Sequence, residues 1–447
     1  MTDQLSDLTT RLLDAARRAG AEAADALAVT GSSVSIDLRA GRLETAERAE
    51  ATEVGLRVLI GGRQACVSAS DLSQRTFDAL AERAVAMARE APDDPTAGLA
   101  DPSQLAQGWD IAAYEMFDPT EEPSAATLED DCRAIESAAL SRAGIRQVES
   151  SAGYSRRAMH LAASNGFAGG YQRTSRSLSA VAFTGEGTGM ERDWAGESRV
   201  FQADLPGAID MGVLAADRAL ARLGAVKPVT GTYPVLFDER IASSLIGHLL
   251  GAVNGMAISR GASWLRDALG QQVLPKGLSV IEDPHRPRIP GSRPFDGEGL
   301  PTQRRAIVDD GILTGWTLDL ATGRKLGMAS TANASRGTSS PPSPSTSNID
   351  MTQGTRTRDD LIRDMGTGLL VTSMIGSTIN PTTGDYSRGA AGFWVEGGEI
   401  RYPVNECTIA GNLREMLLRI VPANDARAHL STRVPSILID GLTLAGA

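Results

Sequence analysis

Amphipathic helix, short alternating strands around glycine turns, amphipathic helix: this order of patterns occurs twice in the first 226 residues. Leu5, Leu8, Leu12, Leu13 and Ala16 recur at helical spacing and end near Gly20. Alternating segments follow from Ser33 to Leu38 and from Leu43 onward, around Ala40-Gly41-Arg42. Two more run from Glu53 to Ile60 and from Gln64 to Ser68, around Gly61-Gly62-Arg63. Such runs joined by glycine turns predict two β-hairpins. A helix over about 72–89 closes the round, and Ala91-Pro92-Asp93-Asp94-Pro95 breaks it. The second round opens with a helix over 128–142. It continues through strands at Gln147–Ser155 and Ala158–Ala163, a turn at Ser164-Asn165-Gly166, strands at 169–176 and 178–184, and a helix over 205–223. This order predicts an internal duplication over residues 1–95 and 125–226, with two unrelated α/β segments as the other reading.

Lys227-Pro228-Val229-Thr230-Gly231 separates this region from a strand at Tyr233–Phe237. Beyond it the chain is rich in Gly, Thr and Val. Ala306–Leu313 and Phe393–Ile400 each place glycine in an acidic turn between alternating apolar residues, a strong hairpin signal. The expected fold class is therefore α+β. Residues 1–226 form an N-terminal α/β domain of duplicated helix-hairpin-helix pattern, and residues 227–447 a C-terminal, predominantly antiparallel β domain. Ser339-Ser340-Pro341-Pro342-Ser343-Pro344-Ser345 predicts an exposed loop and a candidate lid.

At 447 residues there is ample chain for two cores. The formal net charge of -11, with basic pairs such as Arg156-Arg157 and Arg304-Arg305 scattered, argues against direct nucleic-acid binding. Cys66, Cys132 and Cys407 are too few and too far apart for a disulfide framework or a Cys-x-x-Cys knuckle. The start, Met-Thr-Asp-Gln-Leu-Ser-Asp, carries no secretion pattern, and no apolar run reaches bilayer length. The expectation is a cytoplasmic protein with no membrane partner.

Catalytic motifs are scarce. No Gly-x-Ser-x-Gly or Ser-x-x-Lys occurs, and the run Gly185–Gly189 lacks a Walker lysine. The histidines, His160, His248, His285 and His429, never come within helical reach of one another. His248 sits in an almost wholly apolar helix, Ile241–Val253, capped by Asp238. Small residues at 247, 251 and 252 would let another backbone approach closely. From composition this is a buried packing helix with one hydrogen-bonded histidine.

One stretch is more specific. Gly384-Asp385-Tyr386-Ser387-Arg388-Gly389-Ala390-Ala391-Gly392-Phe393-Trp394-Val395-Glu396, followed by Gly398-Glu399-Ile400, Tyr402-Pro403-Val404 and Thr408–Leu413, resembles the C-terminal signature of the TldD/PmbA family in its PmbA/TldE branch. Gly247-His248-Leu249, Pro294-Phe295-Asp296, Glu298-Gly299, Arg304-Arg305, Asp310–Leu313 and Gly366-Thr367-Gly368 extend the likeness.

The resemblance implies a role. In this family the TldD-like subunit carries His-Glu-x-x-x-His on a helix, with a cysteine near the C-terminus as third zinc ligand. Here Gly247 and Ala252 stand where those histidines would be and His248 where the glutamate would be, and no Cys or His occurs from Leu430 to Ala447. Glycine and alanine side chains offer no donor atom to a metal. The chain itself is thus expected to have no catalytic residue and no metal, with zinc in a TldD-like partner and an extended or unfolded peptide as substrate. Asp385, Tyr386 and Arg388, read as a glycine-flanked loop, are the candidate substrate or interface residues; a structural β-turn with a local ion pair reads them equally well. The alternative function is a non-enzymatic, homodimeric peptide-binding or regulatory protein. The family's older name, modulator of DNA gyrase, then implies an indirect effect on gyrase, without DNA contact.

Overall fold

The leucine stripe near the start forms helix α1 (Thr2–Ala19), which buries Leu5, Leu8, Leu12, Ala15 and Ala16. The computed structural model describes residues 2–446, so Met1 and Ala447, the outer ends of the two expected domains, lie outside the described residues. Strands β1 (Ala23–Arg39), β2 (Arg42–Ile60) and β3 (Arg63–Ala69) and helix α2 (Gln74–Glu90) follow. Helix α3 (Ala125–Leu140), strands β4 (Ile145–Ala163), β5 (Ala168–Thr184) and β6 (Glu191–Arg199) and helix α4 (Ala208–Leu220) repeat that order. Ser73 and Ser124 cap α2 and α3 by accepting the Thr76 and Thr127 N–H groups.

The unit between the helices is a three-stranded meander rather than two separate hairpins, because β2 is long enough to serve both turns. The segments expected as pairs of short strands are likewise continuous. Alternation survives across Arg156-Arg157 and across Ser177, so β4 and β5 run unbroken. Strand β6 was not expected, since Glu, Arg, Asp and Gly dominate it; it pairs at the sheet edge, where such residues are tolerated. All six strands make one antiparallel sheet in the order β3-β2-β1-β4-β5-β6.

Side-chain parity divides the two faces of this sheet. On β1, Ala24, Ala26, Ala28, Val34, Ile36 and Leu38 all point toward the helices. The first three pack with α1 and α2, and the last three with α3 and α4. Asp25 and Leu27, with opposite parity, meet the C-terminal half. The far end of β2, from Arg42 to Ala51, lies wholly exposed beyond the core, and its Glu44, Glu47, Arg48 and Glu50 discourage pairing with another edge.

The C-terminal half begins with β7 (Gly231–Phe237), α5 (Glu239–Ala252) and α6 (Gly255–Ser259), then β8 (Val280–Glu282), β9 (Arg305–Asp309) and β10 (Ile312–Leu313). Next come α7 (Leu320–Leu326), β11 (Ala334–Ser335), β12 (Ser343–Pro344), β13 (Ile349–Met351) and α8 (Arg358–Met365). The chain ends with β14 (Gly368–Ile379), β15 (Asp385–Glu396), β16 (Glu399–Asn412), α9 (Leu413–Leu417), β17 (Val421–Pro422), β18 (Thr432–Arg433) and β19 (Ile437–Ala445). Strands β16-β15-β14-β7-β19 close into a barrel through β16–β19 pairing. The two expected hairpins are β9–β10 and β15–β16. Positive φ at Asp310, Gly311, Gly397 and Gly398 explains their turn residues. The α+β fold class is thus observed, with antiparallel pairing prevailing in both sheets' ladders and a C-terminal barrel. Among the described residues no helix is long and apolar enough to cross a membrane.

The Ser/Pro segment departs from the exposed-loop expectation. Ser339, Ser340 and Pro341 are exposed, but Ser343-Pro344 pairs with Ala334-Ser335, and the Pro344 carbonyl accepts the Asn254 side-chain amide at 2.9 Å. Proline needs no N–H for the bonds it makes here, so it can occupy so short a strand. Just before it, Thr338 crosses β2 at Gly55, where a Cβ would stand 2.0 Å from the Thr338 carbonyl oxygen.

The Pro294-Phe295-Asp296 and Glu298-Gly299 motifs belong to this inter-lobe contact. Phe295 packs against Trp109, Phe167 and Tyr171 with ring centroids 5.0, 5.0 and 5.5 Å away. Asp296 accepts the N–H groups of Glu298, Leu300 and Ala334, and Glu298 accepts that of Leu320. Burial raises the Asp296 carboxyl, against the three N–H bonds that favour its charge. Burial, and then the charge of Asp296, push Glu298 up to about 8.

A glutamate raised in the folded state stabilises the fold fully below its ordinary pKa, and that contribution is lost as pH rises through the folded value. Wild-type protein should therefore lose thermal stability from about pH 5 to pH 9, whereas Glu298→Gln should flatten that slope and be relatively more stable at pH 9. Gly55→Ala should cost about 1–3 kcal/mol in denaturant unfolding, because the Thr338 backbone has to shift.

Candidate functional site

Helix α5 leaves β7 through Asp238, whose carboxylate accepts the Arg240 N–H at 3.2 Å and caps the helix as the sequence predicts. Ala242, Leu245, Ile246, Leu249 and Ala252 turn into the barrel core beside Val235, Phe237, Leu369 and Val371. Gly247 and Gly251 lie on the outer face, where an added Cβ would meet nothing within 4 Å. Among the described residues the close approach expected at 247 and 251 is therefore not made, and of the three small residues Ala252 is the one that is packed.

His248 stands between these faces, its ring edge-on to Tyr386 with centroids 5.9 Å apart. Its Nε2 is buried and has no hydrogen-bond partner among the described residues, which corrects the expectation of a satisfied histidine. Burial first, and then the Arg388 guanidinium, hold the imidazole below its ordinary pKa, favouring the neutral ring. Nothing among the described residues bonds to this nitrogen, so the ring bears the cost of an unmade bond.

Asp385, Tyr386 and Arg388 are not in a loop. They begin β15, which pairs with β14 and β16 from its first residues. Strand alternation then separates them. Tyr386 is 2% exposed, its hydroxyl 3.8 Å from the Met374 sulfur, and burial pushes the phenol up to about 12. Arg388, two residues on, donates Nε to the Gly376 carbonyl at 2.7 Å. Asp385 is exposed and accepts from the Thr383 hydroxyl and the Asn412 amide, contacts that lower its pKa. The structure thus brings Tyr386 and Arg388 to His248 and leaves Asp385 apart. Among the described residues no ion pair joins Asp385 to Arg388.

A feature that the sequence reading missed lies alongside. Strand β14 pairs with β7 through Leu369, Leu370 and Val371; from Ser373 onward β15 is its partner on one side, and among the described residues no strand pairs with it on the other. Ile375 on this stretch is 76% exposed. The run Leu369-Leu370-Val371-Thr372 is a strand signal in itself, but its open edge follows from β7 ending where α5 begins.

Zinc chemistry finds little here. Among the described residues no three His, Cys, Asp or Glu side chains converge so as to hold a metal ion. Gly247 and Ala252 have no donor atom, and the other imidazoles are elsewhere. His160 meets the Thr9 hydroxyl at 2.9 Å, His285 that of Thr302 at 3.2 Å, and His429 the Glu197 carboxylate at 3.0 Å. The buried Cys132 and Cys407 thiols are pushed up to about 11 by burial, far from thiolate reactivity.

Comparison with known proteins agrees along the whole chain. Residues 24–88 match domain 1, residues 118–223 the central domain and residues 230–446 the C-terminal domain of the PmbA/TldA metallopeptidases. The metalloprotease PmbA of Escherichia coli O157:H7 is 36% identical over 415 residues, covering 92% of this chain and 90% of that protein. A PmbA homolog of Haemophilus influenzae is 36% identical over 449 residues, covering 97% and 94%. A candidate modulator of DNA gyrase from Bacteroides thetaiotaomicron superposes with a TM-score of 0.93 at 29% identity, covering 100% of both chains. TldE from Thermococcus kodakarensis shares the fold at a TM-score of 0.85 and 18% identity, covering 98% of this chain and 99% of its own. The chain is a member of the PmbA/TldD metallopeptidase family.

Proposed function

We propose that this chain is the PmbA/TldE-like subunit that holds no catalytic metal in a two-chain metallopeptidase of the TldD/TldE type, and that it helps to present extended peptides to a zinc site in a TldD-like partner. The observation that carries this reading is α5, where the family's metal-binding helix is expected: glycine and alanine occupy the ligand positions, and the single imidazole faces a tyrosine and an arginine. A neutral, buried ring beside a guanidinium can neither gather a divalent cation alone nor replace a carboxylate base. The open faces of Gly247 and Gly251 give a partner chain room to approach this helix.

The peptide role rests on the unpaired edge of β14. An extended peptide added there would bond through its backbone, with Ile375 offering an apolar contact, and backbone recognition suits unfolded substrates of varied sequence. Tyr386 and Arg388, one strand away, lie on the face shared with His248 and are the side chains we assign to this region; Asp385 belongs to the surface turn with Asn412. Three free cysteines suit a reducing cytoplasm. The same edge favours one other reading, a homodimer that binds peptides without cleaving them and affects gyrase only indirectly, as the description of the Bacteroides neighbour suggests.

Purified alone, the chain should cleave no unfolded peptide and carry far less than one zinc per chain. Mixed with a TldD-like subunit it should shift to a larger species by light scattering and support cleavage. Cleavage by the chain alone, or stoichiometric zinc bound through His248, overturns the assignment; a stable homodimer indifferent to the added subunit selects the second reading. In the mixed complex, Ile375→Asp should raise KM roughly tenfold with kcat little changed, because it removes apolar contact at the peptide edge. An unchanged KM would remove β14 from the peptide path.

A further inference from the structure

The two lobes enclose a cleft of about 390 Å³ between the face of β1, β4 and β5 turned away from the helices and the loops around Gly291, Arg336 and Thr346. Arg157, Arg173, Arg293 and Arg336 line it, and no carboxylate does. In a chain of net charge -11 this is a local inversion of sign. It is invisible in the sequence, because Arg157 and Arg336 come from opposite lobes and meet only through folding.

The bonding of these arginines leaves capacity unused. Arg173 donates to the Pro290 and Ser292 carbonyls and stacks on Tyr171, with 4.9 Å from its guanidinium carbon to the ring centroid. Arg293 donates to the Ala334 and Ser345 carbonyls at 3.2 and 2.9 Å, while its Nε is buried without a partner. The Arg336 side chain is 2% exposed; its Nη1 meets Asp25 and its Nη2 is buried and unpartnered. Arg157 is exposed, and its side chain makes no hydrogen bond or ion pair among the described residues.

Asp296 offsets part of the charge of Arg293, though burial raises its carboxyl and three backbone N–H groups occupy it, and the exposed Glu53 lines an adjoining groove with Arg157. Asp25 is shared with Arg57, 2.5 Å away, and Glu282 is held by Arg305, Asn333 and Ser347. Among the described residues Arg336 alone of the four arginines is ion-paired, and a desolvated guanidinium without full compensation is costly unless an anion arrives.

We infer that this cleft is an oxyanion-binding site, built to receive a carboxylate or phosphate group between guanidinium donors from both lobes. Planar guanidinium forks suit such groups, since each can place two parallel N–H donors on two oxygens. The volume lies at the low end for small-ligand pockets, about 300–1,000 Å³, so the site takes a compact group or the end of a chain rather than a folded partner.

The test uses the isolated full-length chain and therefore does not depend on the proposed two-chain assembly. Three probes are titrated by calorimetry at low salt: inorganic pyrophosphate, a short unstructured peptide with a free C-terminal carboxylate, and the same peptide amidated. At least one anionic probe should bind, raise the unfolding temperature and weaken as salt is added. Binding of the free-acid but not the amidated peptide identifies a carboxylate as the ligand group, and binding of pyrophosphate alone identifies phosphate. Arg157→Gln, at an exposed residue without partners, should weaken that binding roughly tenfold and leave the unliganded unfolding temperature unchanged. Arg293→Gln should weaken it further if the variant folds. Failure of all three probes, equal binding of the acid and amide peptides without any for pyrophosphate, or binding unaffected by Arg157→Gln overturns the inference.

Discussion

The buried contact of Asp25 with Arg57 and Arg336 sets the geometry of everything that follows. Asp25 and Arg57 lie opposite each other on β1 and β2, and Arg336 comes from the other lobe, 311 positions along the chain from Asp25. A carboxylate and two guanidinium groups withdrawn from water tolerate few relative orientations, since displacement of one strands the charge of the others. The triad therefore fixes position more than it adds stability. Around it, bare backbone at Gly55 lets Thr338 lie directly on β2, and the Phe295 cluster fills the apolar remainder. Because helices cover one face of the N-terminal sheet, only the face of opposite parity remains for the barrel lobe. The cationic cleft opens beside that junction.

The barrel gives a second constraint. The longest stretch of family resemblance, Gly384–Glu396, consists of strand β15 and its approach, and its glycines are explained by packing. A Cβ on Gly392 would stand 1.9 Å from the Leu370 carbonyl oxygen, and one on Gly384 3.3 Å from the Trp264 ring. Gly392 lets β14 and β15 come together in the barrel on which α5 packs. The signature therefore identifies an architecture.

Local signals were legible in the sequence, and their extent and partnership were not. The Asp238 cap, the glycine turns and the leucine stripe of α1 depend on neighbours a few residues away, and they are found as read. Strand length depends on the adjacent strand: β4 and β5 run on through arginines and serines because each continues to pair with the other, and β6 forms from a charged segment because β5 offers it an edge. Asp385 to Arg388 read as a turn because glycines flank them, yet pairing with β14 and β16 draws them into a strand. At the site, the missing donors at Gly247 and Ala252 could be read directly. The unsatisfied Nε2 of His248, the unpaired edge of β14 and the arginine cleft could not, since each is a property of groups far apart in sequence.

The orphaned imidazole links fold to assembly. A buried nitrogen without a partner costs roughly 1–3 kcal/mol relative to one that is hydrogen-bonded. Among the described residues the cost is not relieved, and the neighbouring Tyr386 hydroxyl is directed to Met374. On the outer side, Gly247 and Gly251 leave the helix backbone uncovered. A chain docking there would find its route free of side chains and a neutral imidazole already held in place by Tyr386 and by the charge of Arg388. On the proposed assembly, the helix that lacks metal ligands would thereby become a contact surface for the subunit that has them.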